Sequence, residues 1–276
     1  MTPPSDAPFS DGDFSFDAHV SAVVEDGGEA AFALGDGRVC WAGGAAVAAH
    51  DGAVLCAAAP PSGAGVLTGG DDGRLAWSTR EGTRVLFEAP RGRWIDALAV
   101  SADSGLIAVA SGRQVTVLDA ADGAFRRTFD HPASVAGLAF DPRGRRLAAA
   151  TYGGLALWYA RIAAQKPAML RCAGSHLQVL FSPDGRFAVS AMQEPALHAW
   201  RLADGKDMAM SGYETRVRGF GFTGEGRVLA TSGAPGVVLW PFTGAGGPMG
   251  KPALQIDLAF AGVTTLLAVH ADGVMM

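Results

Sequence analysis

The chain has 276 residues, 49% of them hydrophobic and 18% charged, with a formal net charge of −5. That length holds one large all-β domain or two small ones with ample apolar residues for a core, and the charge argues against nucleic acid as the main partner. No apolar run reaches the roughly 18 residues of a membrane helix, and the opening Met1-Thr-Pro-Pro-Ser-Asp-Ala-Pro8 lacks the basic start and apolar stretch of a secretory signal.

Residues 1–13 are polar and rich in Pro and Asp, and read as a flexible N-terminal segment. Phe14-Ser-Phe-Asp17 then alternates apolar with polar residues, the period of a half-buried strand. From there one phrase recurs along the chain. Its fullest spelling is Phe181-Ser-Pro-Asp-Gly-Arg-Phe-Ala-Val-Ser190: a strand end, a turn, and a second alternating strand. Pro fixes φ and Gly admits positive φ, so Pro183-Asp184-Gly185 is a turn by its chemistry. A third short strand, Pro195 to Trp200, ends on an aromatic. The phrase returns from Phe140 to Trp158 and from Phe222 to Trp240, and more faintly from Val54 to Trp77 and from Ile95 to Val117.

The third strands end at Trp41, Trp77, Val117, Trp158, Trp200 and Trp240, at spacings of 36, 40, 41, 42 and 40 residues. A period of about 40–45 residues with four short strands per unit is the signature of β-propeller blades. Helical periodicity is nearly absent, and Tyr159 to Lys166 fits an outer strand and its loop. The expected fold is an all-β, seven-bladed β-propeller over residues 14–276.

These units resemble divergent WD40 repeats of bacterial type. The family pairs a His before the first strand, a Ser or Thr in the second, an Asp in the tight turn and a Trp in the third. The second unit carries them as His50, Thr68, Asp72 and Trp77; His131 stands before Trp158 at the same interval, and Asp36 and Trp41 match in the first unit. The spacing departs from the family in one respect. Three residues, in place of four, separate the turn Gly from Trp in Gly37–Trp41, Gly73–Trp77, Gly154–Trp158 and Gly236–Trp240, and no Trp is followed by Asp. Side chains alternate faces along a strand, so this shift turns Trp away from the family's hydrogen-bonded set and leaves it a packing role between blades.

An open sheet edge invites association, so a propeller closes. Strands at Leu254–Phe260, Thr264–His270 and Val274–Met276 are expected to form the seventh blade, completed by Phe14–Asp17 as its fourth strand, with Phe14 and Phe16 buried. The Gly-to-Trp interval applied to Gly273 sets the next Trp one position past Met276, so the third strand of that blade is cut short.

No catalytic pattern stands out, and neither cofactor nor metal is expected. There is no Gly-rich phosphate loop, no Gly-x-Ser-x-Gly, no His-Glu-x-x-His and no Cys-x-x-Cys among Cys40, Cys56 and Cys172. Three cysteines in apolar, strand-like contexts suit reduced thiols in a cytoplasm. Arg143, Arg145 and Arg146 cluster at a turn tip and read as a solvated edge. Asp96 and Asp257 lie early in expected inner strands, where propeller enzymes place acids, and carry the alternative of an enzyme or small-ligand binder using the central channel. The residues just before the inner strands are His19, Ala53, Trp94, Ser134, Ser175, Arg216 and Leu254. Such loops are where propellers of this kind usually bind partners, and Trp and Arg are enriched in interface hot spots. The reading is therefore a non-catalytic, cytoplasmic protein-interaction scaffold, monomeric outside its complex. Arg93, Trp94, Arg216 and His19 are its candidate contacts with a protein or peptide partner, and neither nucleic acid nor membrane is expected as a partner.

Overall fold

The computed structural model describes residues 14–90, 93–121, 123, 126–163, 165–223, 225–257, 268–270 and 273–275. Among them every regular element is a β-strand, paired antiparallel. The chain divides into two compact units, Met1–Val135 and Ala136–Met276.

The first unit holds three four-stranded sheets, each wound in chain order. Blade 1 is β1 (Val20–Asp26), β2 (Glu29–Leu34), β3 (Arg38–Trp41) and β4 (Ala46–Ala48). Blade 2 is β5 (Val54–Ala58), β6 (Val66–Gly70), β7 (Arg74–Thr79) and β8 (Gly82–Glu88). Blade 3 is β9 (Ala97–Ser101), β10 (Leu106–Ser111), β11 (Gln114–Asp119) and β12 (Arg126–Asp130). First strand lies by first strand, β1 by β5 and β5 by β9, and the outer β4 lies by β8. The core fills the space between blades: Leu67, Leu75 and Phe87 of blade 2 pack with Ile95, Ile107, Val109 and Leu118 of blade 3. The second strands β6 and β10 are buried at every position, which suits their runs of Val, Leu, Ile, Ala and small residues.

The second unit departs from this regularity. It opens with β13 (Gly137–Phe140), β14 (Arg146–Tyr159), β15 (Ala168–Phe181), β16 (Phe187–Met192), β17 (Leu197–Arg201) and β18 (Asp207–Met210), all in one six-stranded sheet. Then come β19 (Phe220–Thr223), β20 (Val228–Thr231), β21 (Gly236–Pro241) and β22 (Leu254–Asp257) as a four-stranded sheet, and the pair β23 (Ala268–His270) and β24 (Gly273–Met275). The described residues thus build five blades, not the seven expected. The cause lies in β14 and β15, each 14 residues long. Sequence units four and five are joined through them: from Ala168 to Phe181 there is no Pro, Asp or Asn, and Gly174, at φ +115°, turns the backbone without ending the strand. The ladder bends at bulges beside Tyr152–Gly154 and His176–Gln178 and continues. Tyr159 closes β14, and the outer strand begins at Ala168, beyond the Tyr159–Lys166 span expected to contain it.

The expected closure is also corrected. Leu254–Asp257 does not begin a seventh blade; as β22 it pairs with β21, Leu239 opposite Leu254 and Val237 opposite Ile256. Residues 14–17 form no strand. Phe14 is 42% exposed, and Phe14 and Phe16 lean on the Phe32 ring with centroids 5.0 and 4.9 Å away. A ring contact with blade 1 satisfies these phenylalanines, so the alternation seen in sequence marks packing and not a ladder. Within the described residues β24 pairs with β23. Residues 1–13, 258–267 and Met276, on which the flexible segment and part of the seventh blade were placed, lie outside the described residues.

Candidate protein-interaction site

Most polar side chains that could do chemistry are spent holding the blades together. In blade 2, His50 is buried, with Nδ1 2.9 Å from Asp72 Oδ1 and Nε2 2.8 Å from Thr68 Oγ1. Asp72 also accepts from the backbone N–H groups of Asp51 and Arg74. Burial works to raise its carboxyl, but the Arg74 N–H and His50 outweigh it and hold Asp72 below the usual carboxylate range. Gly70 makes this possible: a Cβ there would overlap the His50 ring nitrogen and stand 2.7 Å from Asp72 Oδ1.

Trp77 stays outside this set, as the shortened spacing predicts. Thr68 faces Ala76 across the ladder, whereas Trp77 faces Leu67. Its Nε1 donates to the Ala64 carbonyl at 3.0 Å. Trp41, Trp158 and Trp200 are buried, while Trp77 and Trp240 are half-buried. Trp41 Nε1 donates to Asp26 Oδ2 at 2.7 Å; Asp26 also accepts from Gly65 N and Arg80 Nη1, tying blade 1 to blade 2.

The same device recurs with other donors in the second unit. His176 Nδ1 lies 2.7 Å from Ser190 Oγ, and Tyr213 OH lies 2.8 Å from Thr231 Oγ1 while accepting from Trp240 Nε1 at 2.6 Å. Burial lowers the pKa of His176 and of His131, and pushes the Cys56 thiol up to about 12. Cys40, Cys56 and Cys172 are all free thiols. Among the described residues no three His, Cys, Asp or Glu side chains gather as a metal site. At the arginine turn, Arg146 Nε pairs with Asp141 at 3.2 Å, and Arg143 and Arg145 are exposed.

Trp94 is different. It is 62% exposed, the largest side chain so placed. The next residue explains why: Ile95 is fully buried, and its N–H donates to the Gly70 carbonyl at 3.0 Å. With Ile95 pinned inward, alternation sends Trp94 out. Ser111 Oγ donates to the Arg93 carbonyl at 3.3 Å and fixes the preceding residue. Arg93 is exposed, and among the described residues its guanidinium has no carboxylate partner. Chain adjacency brings Arg93 and Trp94 together at the lead-in to β9. Asp96, two residues on, is exposed at the surface, yet the atoms packed around its carboxyl raise its pKa.

The other two candidates sit elsewhere. His19 is exposed before β1, and its carbonyl accepts from Gly35 N at 2.7 Å. Arg216, in the second unit, is half-buried and donates to Gln193 Oε1 at 2.9 Å. Sequence reading missed Arg113. It occupies the two-residue turn between β10 and β11, where the corresponding turns of blades 1 and 2 carry Asp36 and Asp72. That reversal of charge was the available signal.

In comparison with known families, residues 45–76 match the WD40 family, described as WD domain, G-beta repeat. The match spans β4 to β7, the stretch that holds His50, Thr68 and Asp72. Together with the array of four-stranded blades it supports a WD40-repeat β-propeller. No curated protein matches the chain. Among the described residues no helix is long and apolar enough to cross a membrane.

Proposed function

We propose that this chain is a non-catalytic protein-interaction scaffold of the cytoplasm, monomeric outside its complex, that presents blade loops to a protein or peptide. WD40 propellers are typically interaction scaffolds. The observation that carries the reading is the exposed Trp94 beside Arg93, which meets no carboxylate among the described residues, on a lead-in whose backbone is pinned by Gly70 and Ser111. A large aromatic held in solvent on a rigid loop costs little ordering entropy when a partner covers it. His19 and Arg216 are candidate outlying contacts, and the free thiols suit a reducing compartment. The test is affinity capture from native lysate followed by titration of the captured protein. Trp94→Ala should leave the thermal midpoint in place and weaken binding about tenfold or more, the scale of an exposed aromatic anchor. Undiminished binding of every captured partner by that variant would overturn the assignment.

A further inference from the structure

Next to Trp94, blade 3 contains a recess that the interaction reading does not by itself require. It has a volume of about 490 Å³ and is walled by Arg93 from the lead-in, Ser111 and Arg113 from the β10–β11 turn, Gln114, and Asp130 at the end of β12. Pro90 and His131 complete it. Three separate chain segments converge there, held by backbone bonds from Val135 N to the Gly112 carbonyl and from His131 N to the Arg113 carbonyl.

The charges in this recess are unbalanced in a specific way. Arg38, Arg74, Arg80, Arg146, Arg186 and Arg201 each meet a carboxylate. Among the described residues Arg93 and Arg113 meet none, although both line one cavity. The single acid, Asp130, is engaged by Gln114, whose Nε2 donates to Oδ1 at 3.1 Å. Two guanidiniums against one carboxylate leave one positive charge. That surplus matches a carboxylate better than a phosphate dianion, which Asp130 would repel more strongly.

Resting on the scaffold reading and deepening it, we propose that this recess receives an aspartate or glutamate side chain of an acidic partner segment, gripped by Arg93 and Arg113 while Trp94 covers the neighbouring residue. Guanidinium–carboxylate contacts are among the stronger charge-assisted hydrogen bonds, and the hydrogen-bonded turns fix the backbone from which both arginines reach.

The probe is a fluorescein-labelled, C-amidated hexaglutamate peptide, titrated by anisotropy against the full chain at low salt. Hexaglutamine and hexaphosphoserine peptides form the comparison arms. Hexaglutamate should bind, hexaglutamine should not, and binding should weaken as salt rises. Arg113→Glu and Arg93→Glu should each weaken it about tenfold or more. Arg143→Glu, the same charge change at an exposed turn of the second unit, should leave it nearly unchanged. Arg113→Gln, a milder change, should weaken binding in the same direction if Arg113→Glu fails to fold. Equal loss in Arg143→Glu, undiminished binding in a folded Arg113→Glu, or equal binding of hexaglutamine would each overturn the proposal. Tenfold tighter binding of hexaphosphoserine would assign the site to phosphate and overturn it as well. Failure here is separable from failure of the scaffold reading. A captured partner that Trp94→Ala loses and Arg113→Glu keeps would leave the interface standing without its acidic socket.

Discussion

Blades 2 and 3 share a strand order and a common core, yet they dispose of their polar groups in opposite ways. In blade 2 the turn after β6 carries Asp72, which faces inward to His50 and two backbone N–H groups, and Arg74 is paired to Asp51 at 2.7 Å. In blade 3 the turn after β10 carries Arg113 in place of an acid, and beside it Arg93 also has no carboxylate partner among the described residues. Blade 2 turns its acid inward to its own groups, while Arg93 and Arg113 of blade 3 meet no carboxylate among the described residues. The contrast teaches where to look in an array of near-identical sheets: the repeat whose lead-in and turn arginines meet no acid of their own among the described residues.

The largest effect should come from breaking blade 2. His50→Ala removes a buried ring and leaves Thr68 and Asp72 without their shared partner, and should cost about 3 kcal/mol in chemical denaturation. Gly70→Ala should cost about 2 kcal/mol by forcing the His50 ring off Asp72, although Gly70 itself needs no left-handed backbone. If either variant matches the parent, the inward network is not what holds this blade.

Acid should separate the two blades next, with a smaller effect. Burial lowers the His131 pKa, so the unfolded chain takes the proton more readily than the native one. The stability His131 contributes is therefore whole above about pH 6.5 and is lost progressively as pH falls from there. Asp72 has a lowered pKa, so its contribution is whole above about pH 4 and is lost below it. Corrected for the intrinsic slowing of exchange in acid, amide protection in β12 should consequently fall as pH drops below about 6.5 while β6 and β7 hold until about pH 4. His131→Gln should remove the first of these steps. The smallest effect belongs to Arg113→Ala, an exposed turn residue, which should leave the thermal midpoint where it is.

Much of this was legible from residue order. The period of Trp41, Trp77, Val117, Trp158, Trp200 and Trp240 gave the all-β blades, and the Gly73-to-Trp77 interval foretold that Trp77 would leave the His50–Thr68 face. What stayed hidden depends on pairing between distant strands. Nothing local to Leu254–Asp257 says whether it opens a new sheet or completes the one begun at Phe220; the choice lies in its register with β21. Nor does alternation in Phe14–Asp17 distinguish a strand from two rings resting on Phe32. The recess was hidden for a related reason, since Arg93, Arg113 and Asp130 meet only once the turn and the two flanking loops are folded against one another.

The unbroken run of β15 also bears on how such a chain can grow and shrink. In blades 1 to 3 the sequence repeat and the sheet coincide, so a duplication or deletion of about forty residues there adds or removes a finished sheet. At Ala168–Phe181 they do not, because one strand closes the ladder begun by β14 and opens the one continued by β16. Excising either repeat there would cut through hydrogen-bonded backbone and leave a raw edge. The two repeats share one strand and so act structurally as a double module, unlike the single ones of the first unit.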